Sequence, residues 1–218
     1  MASTAPLLRR DRRRRTHAER TAETTAKIKA AAVEAIAELG FKRATATEIA
    51  RRAGVSWGAA QHHFGDKTGI LLAVLDDSAA EFLDRIDPVP AEGLSLEKRV
   101  DGFVDAAWEH FRSASFRSAT EILSNLAVTP EEEGGLPAGS AIVQLDRWIQ
   151  TWRRLFADVP LSPDEAVTIQ GYIVAALSGL SSVHVLQRGP GDIRDRQLGF
   201  LKETVLRELS AARRHGRK

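Results

Sequence analysis

The sequence predicts a fold built from α-helices alone, and three observations carry that expectation. Apolar residues recur at spacings of three and four along most of the chain. Segment after segment opens on a Ser, Thr or Asp positioned to cap a helix and closes on a breaker. No stretch alternates apolar and polar residues with a β-branched bias, so no sheet is expected.

The elements follow in order. Six arginines crowd between Arg9 and Arg15, and like charges at that density predict a disordered arm over residues 1–18. From Glu19 a helical pattern runs through Ile28, Ala32, Ala35, Ile36 and Leu39 to a stop at Gly40. Thr45 and Glu48 then form a capping box that opens a helix at about Ala46, closed by Gly54. Ser56 caps a third short helix reaching about Phe64. Asp66 caps a fourth, with a buried stripe of Ile70, Leu71, Val74 and Leu75.

The remainder reads as longer helices. Leu96, Val100, Phe103, Val104, Ala107 and Phe111 share one side of residues 95–111, and a shorter helix is expected over 115–128. A loop rich in Gly and Pro spans 129–139, followed by helices over 140–159, from Ser162 and from Asp192. Ser162, Pro163 and Glu165 spell a capped start.

Composition narrows the function. The chain has 218 residues, 43% apolar and 28% charged, which is ordinary for a globular protein. It has no cysteine, so disulfides, thiolate metal sites and cysteine nucleophiles are excluded together. The six histidines show no metal-binding spacing, and no cofactor motif is present. The most apolar run, 171–186, is interrupted by serines and a histidine and is expected to pack rather than span a membrane. The N-terminal arginines lack an apolar core behind them, so no secretory signal is expected and a cytoplasmic location is. Residues 1–64 carry 13 Lys+Arg against 6 Asp+Glu, whereas residues 65–218 carry 18 against 23. A basic head on an acidic body suggests that the head binds a polyanion.

One motif argues differently. Gly54-Val55-Ser56-Trp57-Gly58 spells G-x-S-x-G, the pattern of a serine hydrolase nucleophile elbow, with His62 and His63 close by. An elbow needs a strand entering the serine. Here a capped helix enters it, so no enzyme is expected. Two short helices joined by a tight glycine turn instead describe a helix-turn-helix over 45–64.

The stretch from Gly40-Phe41 through Thr45, Ile49-Ala50, the Ala53–Ser56 turn and Phe64 to Asp66-Lys67 resembles the DNA-binding domain of the TetR family of bacterial transcriptional regulators. The resemblance covers about residues 22–85. It implies a DNA-binding domain over 19–66, extended to about 83 by a linking helix, and a ligand-sensing and dimerising domain over 86–218. Gln61 stands where the family usually has tyrosine, which suggests a base contact, since glutamine pairs with adenine. Ala60 is smaller than the usual aliphatic residue there.

The implied DNA contacts are Thr45, Thr47, Ser56, Trp57, Gly58, Gln61, His62, His63 and Lys67. The implied partners are a double-stranded, near-palindromic operator, a second copy of the chain, and a small-molecule effector that releases the DNA. Phe103, Trp108, Phe111, Asn125, Trp148, Trp152, Gln170 and Tyr172 are the expected pocket residues. Gly171, Ala175, Gly179 and Ser182, with the stripe Leu198, Leu201, Val205 and Leu209, are the expected dimer surface. The competing reading is an architectural protein that binds nucleic acid without sequence preference.

Overall fold

In a computed structural model, the structure describes residues 16–130, 145–186 and 191–215. The described residues form nine helices and no strand: α1 (His17–Leu39), α2 (Ala46–Arg52), α3 (Trp57–Phe64), α4 (Lys67–Ile86), α5 (Leu96–Phe111), α6 (Ala114–Leu126), α7 (Leu145–Leu155), α8 (Pro163–Leu186) and α9 (Gly191–His215). The all-α expectation holds. Of the arginine-rich arm, residues 1–15 lie outside the described residues, but α1 begins at His17, inside the segment expected to be disordered. A full capping box starts it: the Thr16 hydroxyl accepts the Glu19 N–H, and the Glu19 carboxylate accepts the Thr16 N–H at 2.7 Å.

Each later cap is as local as the sequence suggests, with one correction. Thr45, Ser56 and Asp66 accept N–H groups three residues ahead, from Glu48, Ala59 and Gly69. Ser162 and Glu165 satisfy one another's N–H groups reciprocally. The box expected at Thr45 is only half made, because the Glu48 carboxylate turns to Arg51 and Arg52 instead.

Two apolar clusters hold the molecule. The head's cluster joins Ile28, Ala32 and Ile36 of α1, Ile49 and Ala50 of α2, Ala60 of α3 and Ile70, Leu71 and Val74 of α4. It also takes in Ile122 and Leu126 of α6, so the head's core reaches well past the boundary drawn at about residue 83. The body's cluster packs α5 against α4, α8 and α9 around Phe103, which is fully buried. Inside it the Arg99 guanidinium is 5% exposed and grips Asp158 through two hydrogen bonds of 2.7 and 2.9 Å. Those bonds hold the Asp158 carboxyl below its usual range.

The body corrects two expectations. Leu198, Leu201, Val205 and Leu209 are all buried in the body's own cluster, so they have no surface to offer a second copy. Phe103, Trp108 and Phe111 likewise fill the core rather than line a cavity. Ring stacks run from Phe82 through Trp148 and Phe103 to Trp152 and Phe156, with centroids 4.6 to 6.1 Å apart. Asn125 lies on α6, donating to the Glu121 carbonyl, and Tyr172 is exposed on α8.

The apolar run expected to pack lies within α8. Residues Pro163–Val183 of α8 reach a mean hydropathy of 1.4 over an 18-residue window, enough by length and composition to cross a membrane.

Candidate nucleic-acid interface

The helix-turn-helix is built by backbone chemistry that the sequence specifies. Gly54 adopts φ +70°, in the left-handed region where a Cβ is strained. That conformation lets the Gly54 N–H reach the Arg51 carbonyl and the Val55 N–H reach the Ala50 carbonyl, which closes α2 in a Schellman motif. The buried Ala50 keeps the inner side of the corner small, and Val55 packs partly buried against the head's cluster. Ser56 then opens α3 as its cap. This is a structural duty for the serine, and a helix rather than a strand enters it, so the hydrolase reading has no support.

The outer face of α3 presents Gly58, Gln61 and His62, spaced three and four apart and all exposed. Thr45 and Thr47, at the start of α2, are exposed beside the same corner. Trp57 is half-buried and packs on the head's cluster, and His63 is half-buried with its ring 5.5 Å from that of His62. A Cβ built on Gly58 would meet nothing of the protein nearer than the Ser56 hydroxyl at 4.0 Å. The fold therefore has room for a side chain at position 58.

Lys67 has a partner inside the protein. Its ammonium donates to the Phe41 carbonyl at 2.9 Å and sits 4.3 Å from the centre of the Phe41 ring. Burial lowers its pKa. An ammonium carries three donors, so two remain to reach outward.

The cations of α2 are largely spoken for. Arg51 and Arg52 both grip Glu48, and Arg52 also reaches Glu38. These hydrogen bonds, Arg51's first, pull the Glu48 carboxyl down to about 2. Three residues escaped the sequence reading. Lys42 and Arg43 are exposed just ahead of the Thr45 cap, and a basic pair before a cap was a visible signal. Gly69 is the third. A Cβ there would fall 1.9 Å from the Phe64 carbonyl oxygen, so glycine is what lets α4 close against the end of α3.

A helix-turn-helix head carried on a body of longer helices defines a class of DNA-binding regulatory protein. Comparison with known proteins narrows the class. Residues 28–74 match the model for bacterial regulatory proteins of the tetR family. The match runs from within α1 to within α4 and so takes in the whole helix-turn-helix. The chain is 29% identical over 172 residues to the HTH-type transcriptional regulator CymR of Pseudomonas putida, covering 78% of this chain and 83% of CymR. It is 41% identical over 83 residues to the regulator BetI of Escherichia coli O17:K52:H18 (strain UMN026 / ExPEC), covering 36% of this chain and 42% of BetI. The match thus spans less than half the length of BetI.

Solved structures share the fold across most of the chain. One described as the molecular basis for control of antibiotic production by bacterial hormones superposes with a TM-score of 0.61 at 22% identity. It covers 85% of this chain and 97% of its own. A TetR family regulator from Marinobacter aquaeolei VT8 gives 0.59 at 15% identity, covering 85% and 97%.

Proposed function

We propose that this chain is a cytoplasmic transcriptional regulator that binds a near-palindromic DNA operator as a dimer and is released by a small molecule. The observation that carries the DNA reading is the exposed Gly58, Gln61 and His62 face of α3, flanked by Thr45 and Thr47. In this reading α3 enters the major groove and Gln61 pairs with an adenine edge. His62 and His63 contribute at the base and phosphate edges, and Trp57 flanks a sugar. Thr45, Thr47, Ser56, Lys67 and the exposed Lys42 and Arg43 meet phosphates. The open space at Gly58 is where the sugar-phosphate chain comes closest.

One head reads few base pairs, so specific binding calls for two. Val167, Gly171, Val174, Ala175, Gly179 and Ser182 form an exposed stripe along α8, and Phe200 on α9 is 71% exposed. An apolar stripe of small residues is a surface on which a second copy's helices pack closely. Two heads then address half-sites about 34 Å apart, or a near multiple of it. A near-complete release by ligand needs about 10⁴-fold preference for the released conformation.

Selection of bound duplexes from a random DNA pool, run in parallel on the Gln61→Ala variant, tests the reading. The expected result is enrichment of a near-palindrome whose preference relaxes at one position per half-site in the variant. Enrichment of nothing beyond charge-driven binding would favour the architectural reading instead.

A further inference from the structure

The body's core is filled by aromatic rings, yet a groove of about 580 Å³ lies beside it, between α7 and α8. That volume is within the usual range of small-molecule sites. Its walls are apolar: Trp152, Phe156 and Val159 are buried, and Leu161 is half-buried. The polar groups in the groove are few, and their existing bonds decide what they can take. The Ser162 hydroxyl is engaged with Glu165. The Gln170 side-chain oxygen accepts the Trp148 indole N–H, which leaves its amide NH₂ as the outward group.

Arg153 completes the set. It is exposed at the groove, and no carboxylate pairs with it among the described residues. Its neighbours on the same helix are committed: Arg147 binds Asp84 and Asp87, and Arg154 binds the carbonyls of Asp87 and Val89. The side-chain polar groups left in the groove are therefore donors only, one of them a full cation, set against an aromatic floor. A neutral apolar molecule would leave the cation unused, and an amine would be repelled.

We infer that this groove binds an apolar monocarboxylate, its carboxylate held by Arg153 and Gln170 and its apolar body against Trp152 and Phe156. The inference rests on the reading that the body senses a small molecule, and it names the chemical class of that molecule. The route to the head is short in the fold, because α7 carries both the groove's floor and the arginines that clamp the end of α4.

Binding of decanoate, decanol and decylamine to the full chain, without DNA, tests the inference by calorimetry and by quenching of tryptophan fluorescence. Decanoate is expected to bind at least about 10-fold tighter than decanol, the scale of a charge-assisted hydrogen bond, and decylamine more weakly than either. Arg153→Gln should bring decanoate and decanol within about 2-fold, and Ala166→Phe, with its helical circular dichroism intact, should abolish both. Equal binding of the three probes, a decanoate preference that survives Arg153→Gln, or no binding at all would overturn the site. So would binding that emerges only in a monomeric Val174→Glu variant, since a second copy would then be the groove's occupant. Tight decanoate binding that leaves a selected operator complex intact would support the site and count against release by ligand, which separates the two readings.

Discussion

The carboxylate of Glu121 on α6 accepts the backbone N–H of Phe41 at 2.6 Å, across 80 positions of sequence. Phe41 is held from its other side too, by the Lys67 ammonium on its carbonyl. The corner that leads into α2 is thus fixed by one group from the body and one from the linking helix. Ser118 of α6 adds a bond to the Val33 carbonyl of α1 at 3.3 Å. Through these contacts α6 decides where the first turn of the head sits.

Removing the carboxylate tests that link. Glu121→Ala strips a charged acceptor from a part-buried N–H, and stability should fall by about 1–3 kcal/mol in urea unfolding. Glu121→Gln should restore most of it, because the amide oxygen still accepts. An unchanged midpoint in the alanine variant would mean that water serves the Phe41 N–H equally well.

Lys67→Met separates two duties of one side chain. The loss of the Phe41 carbonyl and ring contacts should lower stability by about 1 kcal/mol. If the remaining donors meet a phosphate, the slope of log affinity against log salt should shrink by about 0.9. An unaltered slope would confine Lys67 to the fold.

Two glycines should respond in opposite directions. Gly58→Leu adds a better helix former where the protein has open space, so stability should rise by about 0.5–1 kcal/mol while DNA affinity drops. Gly69→Ala places a methyl group against the Phe64 carbonyl and should destabilise the head, with loss of DNA binding as α3 shifts. Thermal unfolding alongside electrophoretic mobility assays reads both. A Gly58→Leu variant that binds DNA as well as the parent would remove this face of α3 from the interface.

His110 gives the body an acid sensitivity. It is 4% exposed, its Nδ1 has no hydrogen-bond partner among the described residues, and burial, then the charge of Arg85, lowers its pKa to about 4. The unfolded chain takes up the proton near pH 6.5, whereas the folded chain resists until about pH 4. Stability is therefore full above pH 6.5 and falls as the pH drops towards 4, by about 1.4 kcal/mol per pH unit within that window. His110→Leu should flatten urea midpoints between pH 6.5 and 5, and an unchanged slope would assign the acid sensitivity elsewhere.

The two helix faces assigned to dimerisation should also part company. Leu209→Ala hollows a fully buried site, and about 2–5 kcal/mol should be lost whatever the protein concentration. Val174→Glu changes an exposed position on α8, so it should leave the protomer folded and shift sedimentation towards monomer. Concentration-dependent loss in the leucine variant alone would reverse the assignment.

The head was legible because its signals are local. Thr45, Ser56 and Asp66 each act on a backbone group three residues away, and Gly54 acts on its own backbone. The same rule applied at Thr16 and Glu19 gives the start of α1, two residues before the expected one. The body was less legible because an apolar stripe announces burial without naming the partner. Leu198 to Leu209 have the pattern of an interface and serve as core. Phe103, Trp108 and Phe111, which suggested a lined pocket, fill the core instead. Glu121 carries no sequence signal at all, since its partner is an N–H brought near only by the packing of α6.

Ile122 and Leu126 lie beyond the boundary expected at about residue 83, yet they complete the core beneath α1 and α4. A head excised at the end of α4 would expose the apolar floor they cover. Anyone grafting this head onto a different sensor, or exchanging sensors between relatives, must carry α6 with the head or rebuild that floor in the recipient. The natural unit of exchange is thus discontinuous along the chain, and fusions cut at the linking helix would inherit the recognition surface without the support that sets its angle.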